Sequence, residues 1–382
     1  HLGSFSDVAR AYGVKMALEN LGYRSELISF ADDMDGLRKV PYGFPDWLND
    51  HLAEPVSRIR DPFGCHDSFG AHMGSLLTDA LDKVVRKVLT NASKIGEKLK
   101  EGLGQEKFTK ILPYFVVCPR CGRIYTTEAL SYDPKTDKVH FRCTGTTIRG
   151  KRIPGCGYEG DVDIKDGEGK LSWKVELASR WQALDIRFEA YGKDIADSVK
   201  FNDWVSDEIL GYPHPYHVRY EMFLDKGGRK LSKSSGNVIT PQAWLRYGTK
   251  QSLMLLMYKR IKGAREVSLE DVPTYMEEYD RLEEGYFRNQ LPPKLRGLYE
   301  YVNLLKVPEK MPVHVPYRLL LQLASVAPDD NYVDFILKRL ATYGYKEVDD
   351  LLIEKIKLAY NMARDHITVQ RIKVELSEQE RA

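Results

Sequence analysis

Four of the five cysteines in this 382-residue chain fall between positions 118 and 156, and their spacing restricts that stretch more tightly than any other feature restricts its surroundings. Cys118-Pro119-Arg120-Cys121-Gly122 has the form of a zinc knuckle. In a Cys-x-x-Cys-Gly turn the backbone N–H groups point at the first thiolate and stabilise its charge. Cys143 and Cys156 supply the other half, separated by a basic, glycine-rich excursion over residues 144–155. Residues 123–127 and 138–142 read as short strands between the two halves, so a zinc-ribbon-like module is expected. Cys65 is the one other cysteine that can close the site. Two disulfides are the competing reading, and a reducing compartment disfavours them.

A second group of metal-ligating residue types precedes the knuckle. Asp61-Pro62-Phe63-Gly64-Cys65-His66-Asp67-Ser68-Phe69-Gly70-Ala71-His72 offers Asp61, Cys65, His66 and His72 as a tetrahedral set. Adjacent Cys65 and His66 require a turn to present both. A buried or reactive cysteine near surface histidines is the plain alternative. Residues 76–103 then carry Leu77, Leu81, Val84, Val85, Val88, Leu89, Ile95 and Leu99 at helical period, with Lys and Arg on a solvated face.

Composition sets the outer limits. With 43% hydrophobic and 29% charged residues the chain is an ordinary globular one, long enough for two to four domains. A net charge of +2 confines any nucleic-acid surface to a local patch. No apolar run approaches the ~20 residues of a membrane span, so no membrane role is expected. The chain opens at His1 without methionine, so upstream residues are expected to be missing, and a cytoplasmic location is expected.

The stretch with most chemistry is Lys230-Leu231-Ser232-Lys233-Ser234-Ser235-Gly236, after the turn Lys226-Gly227-Gly228-Arg229. Two ammonium groups three residues apart among small hydroxyls can meet the charge that develops as pyrophosphate leaves an attacked α-phosphorus. A solvated basic hairpin is the alternative. At the other end, His1-Leu2-Gly3-Ser4 leads into helical spacing over residues 7–22, then a buried strand over 25–30. Loop, helix and strand make half of a nucleotide-binding α/β unit, whose first strand would lie before His1. Asp32, Asp33 and Asp35 follow, able to bind a cation or a substrate ammonium, or to cap a helix. Phe188 to Asp194 reads as a strand running into a glycine turn. Tyr216 to Leu224 reads as a strand ending beside the lysine loop, with Tyr220 and Glu221 facing the pocket. Helices are expected over 241–247, 253–258, 275–287, 318–327, 332–343 and 348–365, separated by Pro292-Pro293 and by 308–316.

These motifs, in this order, resemble the class I lysyl-tRNA synthetases over nearly the whole chain. Lys230 to Ser234 is similar to the KMSKS signature, with Leu231 at the methionine, and His1 to Ser4 is similar to the HIGH signature, with Ser4 at the second histidine. Asp32 to Pro41 and Asp61 to His72 resemble the lysyl members in particular. Trp173 to Trp181 resembles their Trp-Arg-Val-Asp-Trp-x-x-Arg-Trp stretch, with Leu177 at the middle tryptophan. Gly192-Lys193-Asp194 resembles the class I Gly-x-Asp element, with Ile195 where histidine is usual.

The resemblance implies an α/β, Rossmann-like class I catalytic domain with a zinc-bearing insertion, followed by an all-α C-terminal region. The implied layout is a first catalytic half (1–60), a helical insertion with a zinc site (61–115) and the zinc-ribbon-like insertion (116–165). A second catalytic half (166–226), the lysine loop with linking helices (227–270) and a helical anticodon-binding region, expected to be truncated (271–382), complete it. It implies catalysis by Lys230, Lys233 and His1, and ATP binding by His1, Gly3, Ser4, Gly192, Asp194, Lys230, Ser232 and Lys233. The lysine pocket would hold Asp7, Asp33, Trp173 and Tyr220. Two structural Zn2+ ions are implied, one on Asp61, Cys65, His66 and His72 and one on Cys118, Cys121, Cys143 and Cys156, with Mg2+ accompanying ATP. The expected partners are ATP, L-lysine and tRNA(Lys). A glutamyl or cysteinyl class I enzyme, or a catalytically inactive synthetase-like RNA-binding protein, are the alternatives.

Overall fold

The computed structural model describes residues 2–30, 34–40, 45–56, 59, 74–221, 223–231, 238–260 and 263–367, with side chains left out at 4 and 74–80. The chain divides into two compact units, one of residues 1–27 with 221–382 and one of residues 28–220. Helix α1 (Leu2–Asn20) opens the first unit and is followed by Gly22, at φ 85°, a left-handed conformation that glycine adopts without a side-chain clash. The helix starts earlier than the spacing from residue 7 suggests, so Gly3 and Ser4 belong to its first turn. Residues 25–30, expected as a buried strand, form no regular element, and Leu27, Ile28 and Phe30 are each 39% exposed. A strand needs neighbours for its N–H and C=O groups, and no described residue pairs with this segment.

In the second unit the long amphipathic stretch is two helices, α2 (Gly74–Thr90) and α3 (Ala92–Leu103), divided at Asn91. Their apolar stripe of Val84, Val88, Leu89, Ile95 and Leu99 is buried, as the helical period requires. Strand β1 (Tyr114–Val116) leads to β2 (Thr127–Asp133), β3 (Lys138–Cys143), β4 (Gly145–Ile148), β5 (Lys151–Pro154) and β6 (Glu159–Asp163). β2, β3 and β6 make one antiparallel sheet with β3 central, and β4–β5 is a separate hairpin. β7 (Gly169–Leu171) returns to pair with β1, so the chain enters and leaves this β-rich stretch side by side. The strand expected over 123–127 begins only at Thr127, because the preceding residues close the knuckle: Cys118 N donates to Arg123 O at 3.0 Å and Gly122 N to Cys118 O at 2.8 Å.

Helix α4 (Trp173–Ala183) follows, with the Ser172 side chain accepting from Lys174 N at its start. β8 (Phe188–Gly192), α5 (Ala196–Trp204) and β9 (Tyr216–Tyr220) complete the unit. β8 and β9 are parallel, joined by a helical crossover, and Gly192 stands opposite Tyr220.

The expected strand over 216–224 is therefore two, β9 in the second unit and β10 (Phe223–Leu224) in the first, where β10 runs parallel to β11 (Arg265–Glu266). Among the described residues the parallel pairings are these two, β8–β9 and β10–β11. The rest of the first unit is helical: α6 (Pro241–Leu245), α7 (Lys250–Tyr258), α8 (Val272–Phe287), α9 (Pro293–Val302), α10 (Tyr317–Val326), α11 (Tyr332–Thr342) and α12 (Asp350–His366). α9 begins at the Pro292-Pro293 pair that reads in sequence as a separator; proline in a first helical turn gives up no intrahelical bond. Leu2, Phe223, Leu231, Trp244, Leu256, Tyr317 and Ile356 share one core in this unit. Among the described residues no helix is long and apolar enough to cross a membrane.

Candidate functional site

In the first unit, the start of the chain meets the segments on either side of the lysine stretch. Asp225 organises the turn before it. Its Oδ1 accepts from Gly227 N at 2.9 Å and Arg229 N at 3.0 Å, and Gly228 takes φ 73°. Lys230 then bridges Leu224 across the hairpin, and Leu231 N donates to Phe223 O at 3.0 Å. Leu231 is buried with Leu2 and Phe223, and Leu2 N donates to Ile239 O at 3.0 Å, just beyond the lysine stretch. Gly3 and Lys230 are thus both held on the frame that brackets this stretch.

The same helix contributes two residues that the sequence reading passed over. Arg10 donates to Ser6 Oγ at 2.8 Å, and Ser6 Oγ donates to Gly3 O at 2.9 Å, which braces the first turn of α1. Burial, with Arg265 close by, pulls the Arg10 guanidinium down to about 10, while Asp7 opposes that shift. The 3, 6, 10 spacing on one helix face was the available signal.

In the second unit, Gly192 and Tyr220 are register partners at the C-terminal ends of the parallel strands, and Asp194 is exposed in the short 3-10 turn that follows β8. Ligands gather at such strand ends in open α/β folds. Ile195 packs against the core of the unit, which accounts for an apolar side chain at that position. Trp173 opens α4 and is 37% exposed, beside a cavity of about 160 Å3 lined also by Asp35, Arg38, Tyr125, Lys170 and Ser172. Lys170 Nζ lies 2.7 Å from Asp35 Oδ1 and 3.3 Å from Glu176 Oε2; Tyr125 donates to Asp35 at 2.8 Å and Arg180 pairs with Glu176. Burial works against the Asp35 charge, yet hydrogen bonds from Lys170 and Tyr125 hold its carboxyl below the usual range. The Arg180 guanidinium stands 3.8 Å from the Phe30 ring centroid and 5.7 Å from that of Trp173. Glu176 and Arg180, four apart on a helix, were the sequence signal for this network.

The four clustered cysteines converge. Their sulfurs all lie within 4.8 Å of one another, with Cys118 and Cys156 at 3.5 Å and Cys121 and Cys143 at 3.8 Å. None of the four is in a disulfide. Zn–S bonds of ~2.3 Å at tetrahedral angles place sulfurs about 3.8 Å apart, so the spacing fits a shared ion. Backbone N–H groups of Arg120 and Cys121 bond the Cys118 sulfur, as the knuckle form implies, and Cys156 N donates to Cys143 Sγ at 3.4 Å. Burial pushes the Cys118 thiol up to about 12, a cost to the thiolate that a bound cation offsets. His1, Asp33, Asp61, Cys65, His66, His72, Ser232 and Lys233, and the side chain of Ser4, lie outside the described residues.

The sequence matches the family described as tRNA synthetases class I (K) over residues 1–87 and 79–305. It is 51% identical over 406 aligned residues to a protein named lysine–tRNA ligase from Cenarchaeum symbiosum (strain A), covering 99% of this chain and 77% of that one. Proteins of the same name from Methanosphaera stadtmanae and Roseobacter denitrificans are each 30% identical, covering 94% and 87% of this chain and 74% and 65% of their own lengths.

Proposed function

This chain belongs to the class I lysyl-tRNA synthetases, and from that premise we infer that it is a lysine–tRNA ligase. In the first step the lysine carboxylate attacks the α-phosphorus of ATP, the bond to the β,γ-diphosphate breaks, and lysyl-adenylate and pyrophosphate result. In the second, a hydroxyl of the 3′-terminal adenosine of tRNA(Lys) attacks the lysyl carbonyl and AMP leaves. The carboxylate is already a nucleophile, so the first step needs no protein base; positioning and charge stabilisation carry it. Relatives named for other amino acids would favour the glutamyl or cysteinyl alternatives, but those cited above carry the lysine name.

Lys230 and Lys233 meet the charge developing on departing pyrophosphate, aided by His1 and Ser232, while Gly3 and Ser4 in the first turn of α1 receive phosphate or adenine. Gly192 admits the adenine ring and Asp194 accepts from the ribose hydroxyls. Asp7, Asp33, Trp173 and Tyr220 are assigned to lysine binding, Trp173 contacting the aliphatic stem. Mg2+ enters with ATP. Cys118, Cys121, Cys143 and Cys156 hold a structural zinc that closes the β-rich module, and Asp61, Cys65, His66 and His72 hold a second. With four protein ligands each, neither ion keeps a position for water, so neither takes part in the chemistry.

The observation that carries this reading is that Leu2, within the N-terminal motif, and Leu231, beside Lys230, are buried in one core. ATP–pyrophosphate exchange measured across the amino acids tests it. Exchange should depend on lysine; dependence on glutamate or cysteine instead would overturn the assignment.

A further inference from the structure

The helical part of the first unit holds a group of acids, two of them buried, for which the ligase reaction has no use. Asp280 and Glu284, four residues apart, share a face of α8, with Glu283 between them in sequence. His314, just ahead of α10, and Lys355 of α12 face them. The side chain of Glu283 is 1% exposed and that of His314 10%. Glu283 Oε1 accepts from Tyr279 and Tyr299 at 2.9 and 2.6 Å, and its Oε2 lies 3.1 Å from His314 Nε2.

A carboxylate can only accept, so Nε2 carries the proton and a neutral ring presents its lone pair at Nδ1. Nδ1 is buried without a hydrogen-bonding partner. It faces Asp280 Oδ1 at 3.9 Å and Glu284 Oε1 at 3.8 Å, gaps too long for hydrogen bonds. A lone pair aimed at two carboxylate oxygens is repulsive unless a cation lies among them.

Charge balance says which cation. Three carboxylates, Asp280, Glu283 and Glu284, are offset inside by one ammonium, Lys355 at 2.6 Å from Asp280. Arg288 reaches Glu284 only at 3.9 Å, on the solvent side. A proton on His314 removes one of the two remaining negative charges, whereas a divalent ion removes both. One imidazole nitrogen with two carboxylate oxygens is a mixed set suited to Mn2+ or Zn2+. The Glu283–His314 bond is the outer contact that fixes the tautomer and direction of a metal-bound imidazole.

We propose that Asp280, Glu284 and His314 form a divalent-cation site that clamps α8 to the segment leading into α10. Asp280 and His314 belong to a group whose ligand atoms lie within 4.8 Å of one another, its third member being Glu283, which holds the imidazole in place. The site is independent of the ligase assignment and of the four-cysteine centre. To test it, the full chain, free of nucleotide and stripped of all zinc beyond what its thiolate sites retain, is titrated with Mn2+, and unbound Mn2+ is followed by electron paramagnetic resonance. Mn2+ is chosen because thiolates select zinc over it. The wild type should take up about one Mn2+ and melt at a higher temperature with it. His314→Gln and Glu284→Gln should each bind about tenfold more weakly or worse. Glu284 is 37% exposed, so its variant keeps the test open if the His314 variant does not fold. No uptake by the wild type, or equal uptake by the wild type and Glu284→Gln, overturns the site.

Discussion

Leu231 stands where the related signature has methionine, and its burial in one core with Leu2 and Phe223 anchors the chain one residue from Lys230. Lys230 itself is exposed at the hairpin end, so its ammonium is replaceable without opening the core. Lys230→Ala should therefore slow adenylate formation by ~2–4 kcal/mol in activation free energy while lysine affinity changes little. Single-turnover kinetics against lysine concentration separate the two; equal losses in rate and affinity would make the lysine a ground-state clamp. Lys233→Ala should behave alike. A different residue-scale constraint acts at Gly96 in α3, where an added Cβ would stand 2.1 Å from the carbonyl oxygen of Phe108. Gly96→Ala gains up to ~1 kcal/mol of helix propensity, and the clash with backbone should outweigh it, for a net loss of ~1–3 kcal/mol in chemical denaturation. Nothing in the sequence around Gly96 announces this, since the obstacle is a backbone atom from beyond the helix.

At the scale of elements, periodicity located α2, α3 and most helices after residue 240, because a buried stripe at 3.6-residue spacing is written in the sequence itself, while α4, α5 and α9 went unread. It placed the short strands less well: 123–127 belongs to the knuckle, and 25–30 to no element. Strands are defined by their partners, and the pairing of β3 with β6 joins residues about twenty apart that no local pattern links. That pairing also makes a charge contact. His140 lies between Asp161 at 2.9 Å and Glu159 at 3.2 Å, and hydrogen bonds to Asp161 first, then Glu159, raise the imidazolium above its usual range. A raised histidine pKa adds stability that is complete below the unfolded value and is lost as pH rises through the folded one. The melting temperature should accordingly fall as pH rises from about 6 to 8, and His140→Gln should flatten that slope. Because the group is on the surface, high salt should weaken the effect; a slope unchanged in the variant would remove His140 from the account.

Over the whole molecule, the β-rich module returns to its starting point through β1 and β7, so its loss need not unfold the rest of its unit. Removing zinc with a chelator should melt the module and impair transfer of lysine to tRNA more than adenylate formation. Circular dichroism, pyrophosphate exchange and aminoacylation on one preparation give the comparison; equal loss of both activities would tie the metal to the nucleotide site. Sequence alone determined the chemistry available: the lysine stretch, the cysteine quartet, the Gly-x-Asp turn and the order that marks the family. These are local patterns, fixed by residue type and spacing. Tertiary structure decided what distant residues do together. It put Leu2 and Leu231 in one core, closed Cys118 against Cys156, set Gly192 opposite Tyr220, and aimed His314 at Asp280 and Glu284. Such meetings depend on burial, charge balance and strand register summed over the folded chain, which no window of neighbouring residues contains.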